Sequence, residues 1–168
     1  IPPKNEKIPD FEKDIFVKGV LLRINSPGGS MMAADRMYHS ISRLKEKGLP
    51  IYASMGVTAA SGGYYVALIA DKIFANPMSL TGSIGVISKY QTKEKMNRLL
   101  GFEVERFDTG KYMGLFSSNK SLSKEEKRMI SKYQLEKYKF FTDKVAKHRD
   151  LTNKEVQVVA QGQVFTGQ

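Results

Sequence analysis

Apolar runs, glycine-rich turns and helical patterns follow one another along the first half of the chain. Val17 to Ile24 is a near-continuous apolar run of strand length, and Ile51 to Met55, broken at Gly56, is a second one. Each run is followed by a turn and then by apolar residues at helical spacing, in Met32 to Lys47 and in Gly62 to Ala70. Because the order of strand, turn and helix is repeated, the pattern predicts an α/β fold with buried parallel strands.

The second half of the chain contains shorter elements and two helix start signals. Ser123 with Glu126 forms a capping box that starts a helix running to about Arg149, and Thr152 with Glu155 starts another helix. An apolar stripe on the long helix is interpreted as core or as a contact between subunits: Met129, Ile130, Tyr133, Phe140, Phe141 and Val145. The other predicted strands are Ile73 to Ala75, Phe102 to Phe107 and an apolar strand entered from a glycine-punctuated turn within Thr81 to Ile87. A helix is predicted at Thr92 to Leu100 and a polar loop at Asp108 to Ser121.

Length and composition indicate one folded domain without cysteine chemistry. At 168 residues, with 41% hydrophobic and 26% charged residues, the chain fits a globular domain with a single core. We assign residues 14–168 to this domain and residues 1–13, which are rich in proline and charge, to a linker or poorly ordered lead-in. The start at Ile1 and the strand-like end before Gln168 suggest a fragment of a longer protein. The absence of cysteine excludes disulfides and cysteine-based metal or redox sites.

The charge of the chain is strongly basic but dispersed. Its formal net charge is +10, which raises nucleic acid or an anionic membrane surface as partners. The lysines are interleaved with glutamates along helical stretches and form no arginine-rich block, so we predict no nucleic-acid partner. The apolar runs are far shorter than the roughly 18 residues that a membrane span needs. Contact with a membrane would therefore use a segment outside this chain, with a basic face resting on acidic lipid.

Ser61 is the candidate nucleophile because it lies in a turn made of very small residues. Ala59 and Ala60 precede it, and Gly62 and Gly63 follow it, so backbone or substrate can approach its hydroxyl closely. A helix that begins at Gly62 would also aim free N–H groups at whatever lies beside Ser61. The alternative is a tight strand-to-helix turn in which Ser61 serves as the helix N-cap.

A second glycine-rich turn, Asn25 to Ser30, follows the preceding strand and is expected to lie beside the first. The carboxyl ends of parallel strands meet at one edge of a sheet, where open α/β proteins bind ligands. We therefore predict that Gly28 and Gly62 supply N–H groups to an oxyanion hole, and that Gly29 and Ser83 line the substrate cleft. Ser83 and its neighbour Thr81 have an alternative role, in which they satisfy backbone groups of a turn.

The other polar residues give weaker signals. His39 and His148 are the two histidines of the chain, and neither lies in a glycine-rich turn, so we expect no Ser-His-Asp triad. Asp35 and Arg36 follow the first glycine-rich turn and could order the neighbouring loop, but we interpret them as surface charges. No metal site and no cofactor are predicted.

Four segments together resemble the signal peptide peptidase A family, peptidase family S49. They are Asn25-Ser26-Pro27-Gly28-Gly29, Ala59-Ala60-Ser61-Gly62-Gly63-Tyr64-Tyr65, Thr81-Gly82-Ser83-Ile84-Gly85-Val86 and Gln161-Gly162-Gln163-Val164-Phe165-Thr166-Gly167. The resemblance covers about Val17 to Gln168 and is closest to the serine-bearing catalytic repeat. It implies a ClpP/crotonase-like fold with repeated ββα-type units and a mostly parallel sheet flanked by helices. It also implies a membrane-anchored bacterial serine protease that faces the periplasm, uses a Ser/Lys dyad without a metal, cleaves remnant signal peptides and forms homo-oligomers.

Carried over to this sequence, the resemblance makes Ser61 the nucleophile and Gly28 the oxyanion-hole glycine. Compact members of the family carry a lysine base in a G-x-x-K stretch, and the corresponding segment here is Gly110-Lys111-Tyr112-Met113. Met113 stands where the lysine is expected, and a thioether cannot accept the proton of Ser61. Lys111 is then the candidate base, with a solvated loop lysine as the alternative. The chain could also be an inactive relative, or its lysine could come from a missing amino-terminal half, which is the account we favour.

Two other classes of function remain open from the sequence. A crotonase-type acyl-CoA enzyme uses paired backbone N–H groups for a thioester oxyanion and would not need Ser61. A catalytically impaired module that binds peptides or supports assembly would retain the fold without the lysine. Labelling of Ser61 by a serine-directed probe distinguishes the protease from both alternatives.

Overall fold

A computed structural model describes residues 17–168, which form two compact units. The first unit extends through Gly85 and resumes with Phe141–Gln168, and the second unit is Val86–Phe140. The linker predicted at residues 1–13 lies outside the described residues. In chain order the elements are β1 Val20–Ser26, α1 Met31–Glu46, β2 Ile51–Ala60, α2 Gly62–Ala67, β3 Lys72–Phe74, β4 Leu80–Gly82, α3 Glu94–Leu99, α4 Lys124–Arg149, α5 Asn153–Val159 and β5 Val164–Phe165.

The first unit is built on a mostly parallel sheet, as the sequence predicts. The strand order is β1-β2-β4-β5, with β3 also paired to β2. Pairs among β1 to β4 are parallel, whereas β5 runs antiparallel to β4. Flanking helices complete an α/β architecture, and the predicted fold class is confirmed.

Strand β2 is longer than its apolar run predicts, because it has neighbours along its whole length. Its first half pairs with β3 and its second half pairs with β4, so the strand continues through Gly56 to Ala60. A Cβ atom at Gly56 would lie 2.8 Å from Asn25 Oδ1. That oxygen accepts a hydrogen bond from the N–H of Thr58 at 3.2 Å. The glycine that suggests a break in the sequence therefore makes room for a side chain of β1.

The core of the first unit lies on one face of the sheet. Its members include Ile51, Ala53 and Met55 of β2, Tyr65, Val66 and Leu68 of or next to α2, and Phe141, Val145 and Val156. On the other face of the sheet Leu21, Tyr52 and Phe74 are exposed. The prediction that β1 is a buried strand is wrong, since β1 lies at the end of the sheet and, of its residues, only Ile24 is buried.

The apolar stripe of α4 divides into two parts. Phe141 and Val145 are buried, which confirms the core interpretation at the carboxyl end of the helix. Met129, Tyr133 and Phe140 expose large fractions of their side chains. Both capping boxes form as predicted: Ser123 and Glu126 exchange side-chain to backbone hydrogen bonds, and so do Thr152 and Glu155.

The strand predicted at Phe102 to Phe107 is wrong, because the structure gives this segment no regular secondary structure. Its apolar side chains Phe102, Val104 and Phe107 are exposed. Alternation of apolar and polar residues produces a strand only where a neighbouring strand and a core receive it. Among residues 17–168 this segment pairs with no strand.

The adjacent glycines Gly62 and Gly63 give a matched test of the packing between α2 and the end of β1. A Cβ atom at Gly63 would lie 2.7 Å from the backbone oxygen of Ser26, whereas one at Gly62 would meet nothing nearer than 3.4 Å. We expect Gly63→Ala to lower the free energy of unfolding by about 1–3 kcal/mol, as overpacking does. Gly62→Ala should change it by no more than about 0.5 kcal/mol. Urea denaturation of both variants checks this, and equal losses would contradict the close contact.

Glu126 should make the stability of the protein depend on pH in acid. Its carboxylate accepts hydrogen bonds from Lys120 and from the N–H of Ser123, which lower its pKa to about 2 from an ordinary 4.5. A lowered folded-state pKa contributes stability that is present above pH 4.5 and lost as the pH falls towards 2. We expect Glu126→Gln to flatten the fall of the urea midpoint across this interval. Glu136→Gln, an exposed change of the same charge on α4, should leave that fall unchanged, and matching curves for both variants would contradict the assignment.

Candidate active site

Ser61 occupies a strained turn between β2 and α2. Its backbone has φ 50° and ψ −119°, a conformation that residues with a side chain rarely adopt. The carbonyl oxygen of Ser61 accepts the N–H of Tyr65 at 2.9 Å and so opens α2, but the Ser61 side chain makes no capping hydrogen bond. Ser61 therefore occupies the N-cap position of α2, but its hydroxyl does not cap the helix. A sharp strand-to-helix turn of this kind holds a nucleophile out from the sheet.

The two glycine-rich turns meet at Ser61, as the sequence predicts. A Cβ atom at Gly28 would lie 2.7 Å from Ser61 Cβ and 3.0 Å from Ser61 Oγ. Gly28 also has φ +109°, which a side chain would strain. Only glycine fits at this position, because both its backbone conformation and its contact with Ser61 exclude a Cβ atom.

The backbone N–H groups around Ser61 have different partners. The N–H of Ser61 donates to the carbonyl oxygen of Gly82 at 2.9 Å and is thus committed to the end of β4. The N–H of Gly28 donates to Ser26 Oγ at 3.1 Å. Gly62 is the first residue of α2, where N–H groups have no partner within the helix. Of the two predicted oxyanion donors, Gly28 must exchange a side-chain bond before it can bind substrate, a feature that the sequence did not reveal.

An open cleft of about 340 Å³ adjoins both turns. Gly28, Gly29, Gly62 and Gly63 line one side of it, and Ile24, Ala33, Ala34, Met37 and Val66 contribute apolar surface. Gly29 is one of these lining residues, whereas Ser61 is not. Ser83 does not line this cleft: it follows β4 with φ 50°, and its N–H donates to the carbonyl oxygen of Gln163 at 2.6 Å.

Lys111, the candidate base, forms an ion pair within the second unit. Its ammonium lies 2.8 Å from Glu125 Oε1, which also accepts the hydroxyl of Tyr112 at 2.6 Å. The hydrogen bond to Glu125 raises the pKa of Lys111, and so favours the charged form that cannot accept a proton. Met113 is exposed. Lys111 and Met113 belong to the second unit and Ser61 to the first.

Within the first unit, both histidines are paired with residues other than Ser61. His148 Nε2 lies 2.6 Å from the hydroxyl of Tyr38, and burial lowers the pKa of this histidine. His39 is exposed and lies 3.5 Å from Asp35. In the same part of the chain, no group of three or more His, Cys, Asp or Glu side chains is placed to hold a metal ion. None of the described helices is long and apolar enough to cross a bilayer.

Asp35 is not the surface charge that we expected. Its Oδ1 accepts the hydroxyl of Tyr65 at 2.5 Å and lies 3.1 Å from the ammonium of Lys144, whose side chain is only 13% exposed. Burial tends to raise the pKa of Asp35, but the hydrogen bonds from Tyr65 and Lys144 outweigh it and lower the pKa. The sequence could have indicated this role through helical spacing, because Asp35 lies next to Ala34 and three residues before Tyr38, the two buried residues of α1.

Comparison with known proteins identifies the family of the chain. The chain belongs to Peptidase family S49, whose profile matches residues 43–168 and so includes Ser61. It is similar to "Serine protease SPPA, chloroplastic" of Arabidopsis thaliana, with 39% identity over 96% of this chain and 24% of that protein. It is also similar to "Protease 4" of Salmonella typhi, with 36% identity over 96% of this chain and 26% of that protein. The chain therefore spans about a quarter of the length of these two relatives.

A solved structure supports the fold. A point mutant of ClpP1 from Listeria monocytogenes matches 89% of this chain and 66% of its own, with a TM-score of 0.52 and 11% identity. At this identity the likeness concerns the fold alone, and it confirms the predicted ClpP/crotonase-like class. The predicted family is likewise confirmed.

The strain at Ser61 can be measured directly. Glycine tolerates positive φ and alanine does not, so Ser61→Gly should be more stable than Ser61→Ala by about 1–2 kcal/mol. Because both variants lack the hydroxyl, the difference in their stability reports the strain of the backbone at position 61. Urea unfolding of the two variants checks this expectation, and equal stabilities would show that the turn is not strained.

Proposed function

We propose that the protein is a serine endopeptidase that forms an acyl-enzyme on Ser61. The observation that carries this proposal is the strained turn at Ser61 with the backbone of Gly28 packed against its hydroxyl. Strain at a turn of small residues is typical of sites where a nucleophile must reach substrate. Membership of Peptidase family S49 and the similarity to relatives named as proteases support the same reaction.

In the proposed reaction the Ser61 oxygen attacks the scissile carbonyl carbon while its proton passes to a neutral amine. The oxyanion that forms accepts the N–H groups of Gly62 and Gly28, the latter after it releases Ser26 Oγ. The C–N bond then breaks as the leaving amine takes the proton, and an ester on Ser61 remains. Water hydrolyses this ester and regenerates the serine.

The base is the open part of this mechanism. A lysine can accept a proton only if its pKa is lowered by burial or by neighbouring charge. The ion pair with Glu125 has the opposite effect on Lys111. Because the pKa of Lys111 is raised and not lowered, we propose that the base is a lysine from outside this chain. The proposal fits the finding that the chain covers only about a quarter of the length of two relatives.

The substrate in this proposal is an extended apolar peptide. Strand β1 lies at one end of the sheet, and in the described part of the chain its outer edge is unpaired, so a peptide can add to it as a further strand. The adjoining cleft offers apolar side chains, among them Met37 and Val66. Remnant signal peptides are rich in such residues, and we propose them as the natural class of substrate.

Membrane attachment and assembly form part of the same proposal. We place the catalytic part at the extracytoplasmic face of a bacterial membrane, anchored by a segment outside this chain, as a homo-oligomer. Exposed apolar side chains in the second unit, including Ile87, Leu99, Phe107 and Phe116, support further protein contacts. The basic charge of the chain suits an anionic lipid surface.

Family membership favours the peptidase over a crotonase-type acyl-CoA enzyme. The third alternative, an impaired module that binds peptides, is favoured by the ion pair of Lys111 and by the methionine at position 113. Labelling of Ser61 separates these alternatives, because only the peptidase needs an activated hydroxyl.

The decisive experiment is acylation by a fluorophosphonate probe with intact-mass readout, on this chain and on the full-length protein. We expect labelling of the full-length protein that Ser61→Ala abolishes and that Lys111→Ala leaves unchanged. Labelling of the isolated chain that vanishes in both variants would instead make Lys111 the base. The absence of label from both proteins would overturn the peptidase proposal and leave the non-enzymatic module.

A further inference from the structure

A partly buried cluster of polar side chains joins α1, α2 and α4. Asp35 of α1 accepts the hydroxyl of Tyr65 from α2 at 2.5 Å and pairs with Lys144 of α4 at 3.1 Å. The ammonium of Lys144 also lies 3.7 Å from the ring centre of Tyr38 and 4.9 Å from that of Tyr65. Side chains of α2 and α4 therefore converge on the carboxylate of Asp35 in α1.

The charges in this cluster are largely compensated within it. Lys144 is 13% exposed and Asp35 is 30% exposed, so neither group is fully hydrated. Two tyrosine faces and a carboxylate surround the ammonium, and such faces attract cations. Removing either Asp35 or Lys144 would leave the charge of the other poorly solvated. The two side chains are therefore held in contact with each other.

Two of the three helices in the cluster begin at the candidate site. α1 starts directly after Gly28, Gly29 and Ser30, and Asp35 lies in its first two turns. Tyr65 lies one helical turn after Ser61, and its N–H donates to the carbonyl oxygen of Ser61. The bond between Asp35 and Tyr65 thus ties the helix that follows the oxyanion turn to the helix that follows the nucleophile.

We propose that Asp35, Tyr65 and Lys144 are positioning residues that hold the turn at Gly28 against the turn at Ser61. This inference rests on the proposed function for its catalytic consequence, but the positions of the two turns can be measured without activity. None of the three side chains touches the reacting atoms in this proposal. They act through the helices, and Lys144 fixes the carboxylate that Tyr65 needs.

The variants Tyr65→Phe and Lys144→Met remove the hydroxyl and the ammonium with little change of shape. Lys144→Arg retains the cation and should restore the wild-type behaviour. Lys45→Met is the matched control, because it removes another ion pair of the first unit, with Asp71 at 2.7 Å, between α1 and the segment after α2. Asp35→Asn keeps an acceptor for Tyr65 and serves as a second test if Lys144→Met does not fold.

In the full-length protein we expect Tyr65→Phe and Lys144→Met to slow acylation of Ser61 by a fluorophosphonate about 10-fold or more, since displacement of a catalytic group by about 1 Å can cost about 10²-fold. In peptide hydrolysis kcat should fall and KM should change little. Hydrogen exchange should quicken in residues 28–30 and 61–65. Lys45→Met and Lys144→Arg should match the wild type in all three measurements.

The inference is overturned if the cluster variants label and exchange like Lys45→Met, or if activity falls only in proportion to the folded fraction measured by urea unfolding. If the wild type is not labelled at Ser61, the proposed function fails. Hydrogen exchange then still decides the inference, because it reports whether the cluster holds the two turns together.

Discussion

The contact between Gly28 and Ser61 is the constraint on which the rest of the site depends. Two backbone segments lie so close that a single added carbon at Gly28 would meet both Cβ and Oγ of the serine. The same closeness recurs nearby, where Gly63 packs on the carbonyl oxygen of Ser26 and Gly56 packs on Asn25. The parallel register of β1 with β2 brings these pairs together, and it shifts between Ile24 and Ser26 where the turn begins.

Hydrogen bonds from neighbouring strands hold the turns in this arrangement. The N–H of Ser61 donates to the carbonyl oxygen of Gly82, and the N–H of Ser83 donates to that of Gln163. These bonds connect the end of β2 to the end of β4, and the residue after β4 to the segment before β5. The non-glycine residues Ser61 and Ser83 both have φ 50°, so the turns after β2 and after β4 each contain a strained residue. Strain of this kind persists only where the surrounding structure overdetermines it.

The distribution of charge separates the two lysines that bear on function. Lys111 lies at an exposed position and pairs with a carboxylate that raises its pKa. Lys144 is nearly buried, and its ammonium lies between a carboxylate and two aromatic rings. The first arrangement favours a solvated surface charge, whereas the second fixes the geometry of three helices. Through Asp35, Lys144 is connected to α1 and α2, the helices that begin at the candidate site.

The sequence by itself determined the order of strands and helices in the first unit, the capping boxes at Ser123 and Thr152 and the family to which the chain belongs. These features rest on local patterns, since small residues at a turn and helix caps act on their immediate neighbours. The tertiary structure alone decided the length of β2, the loss of the strand at Phe102 to Phe107 and the role of Asp35. Two of these depend on partners distant in the chain, β4 for the end of β2 and Tyr65 with Lys144 for Asp35. Phe102 to Phe107 forms no strand because no strand among residues 17–168 pairs with it.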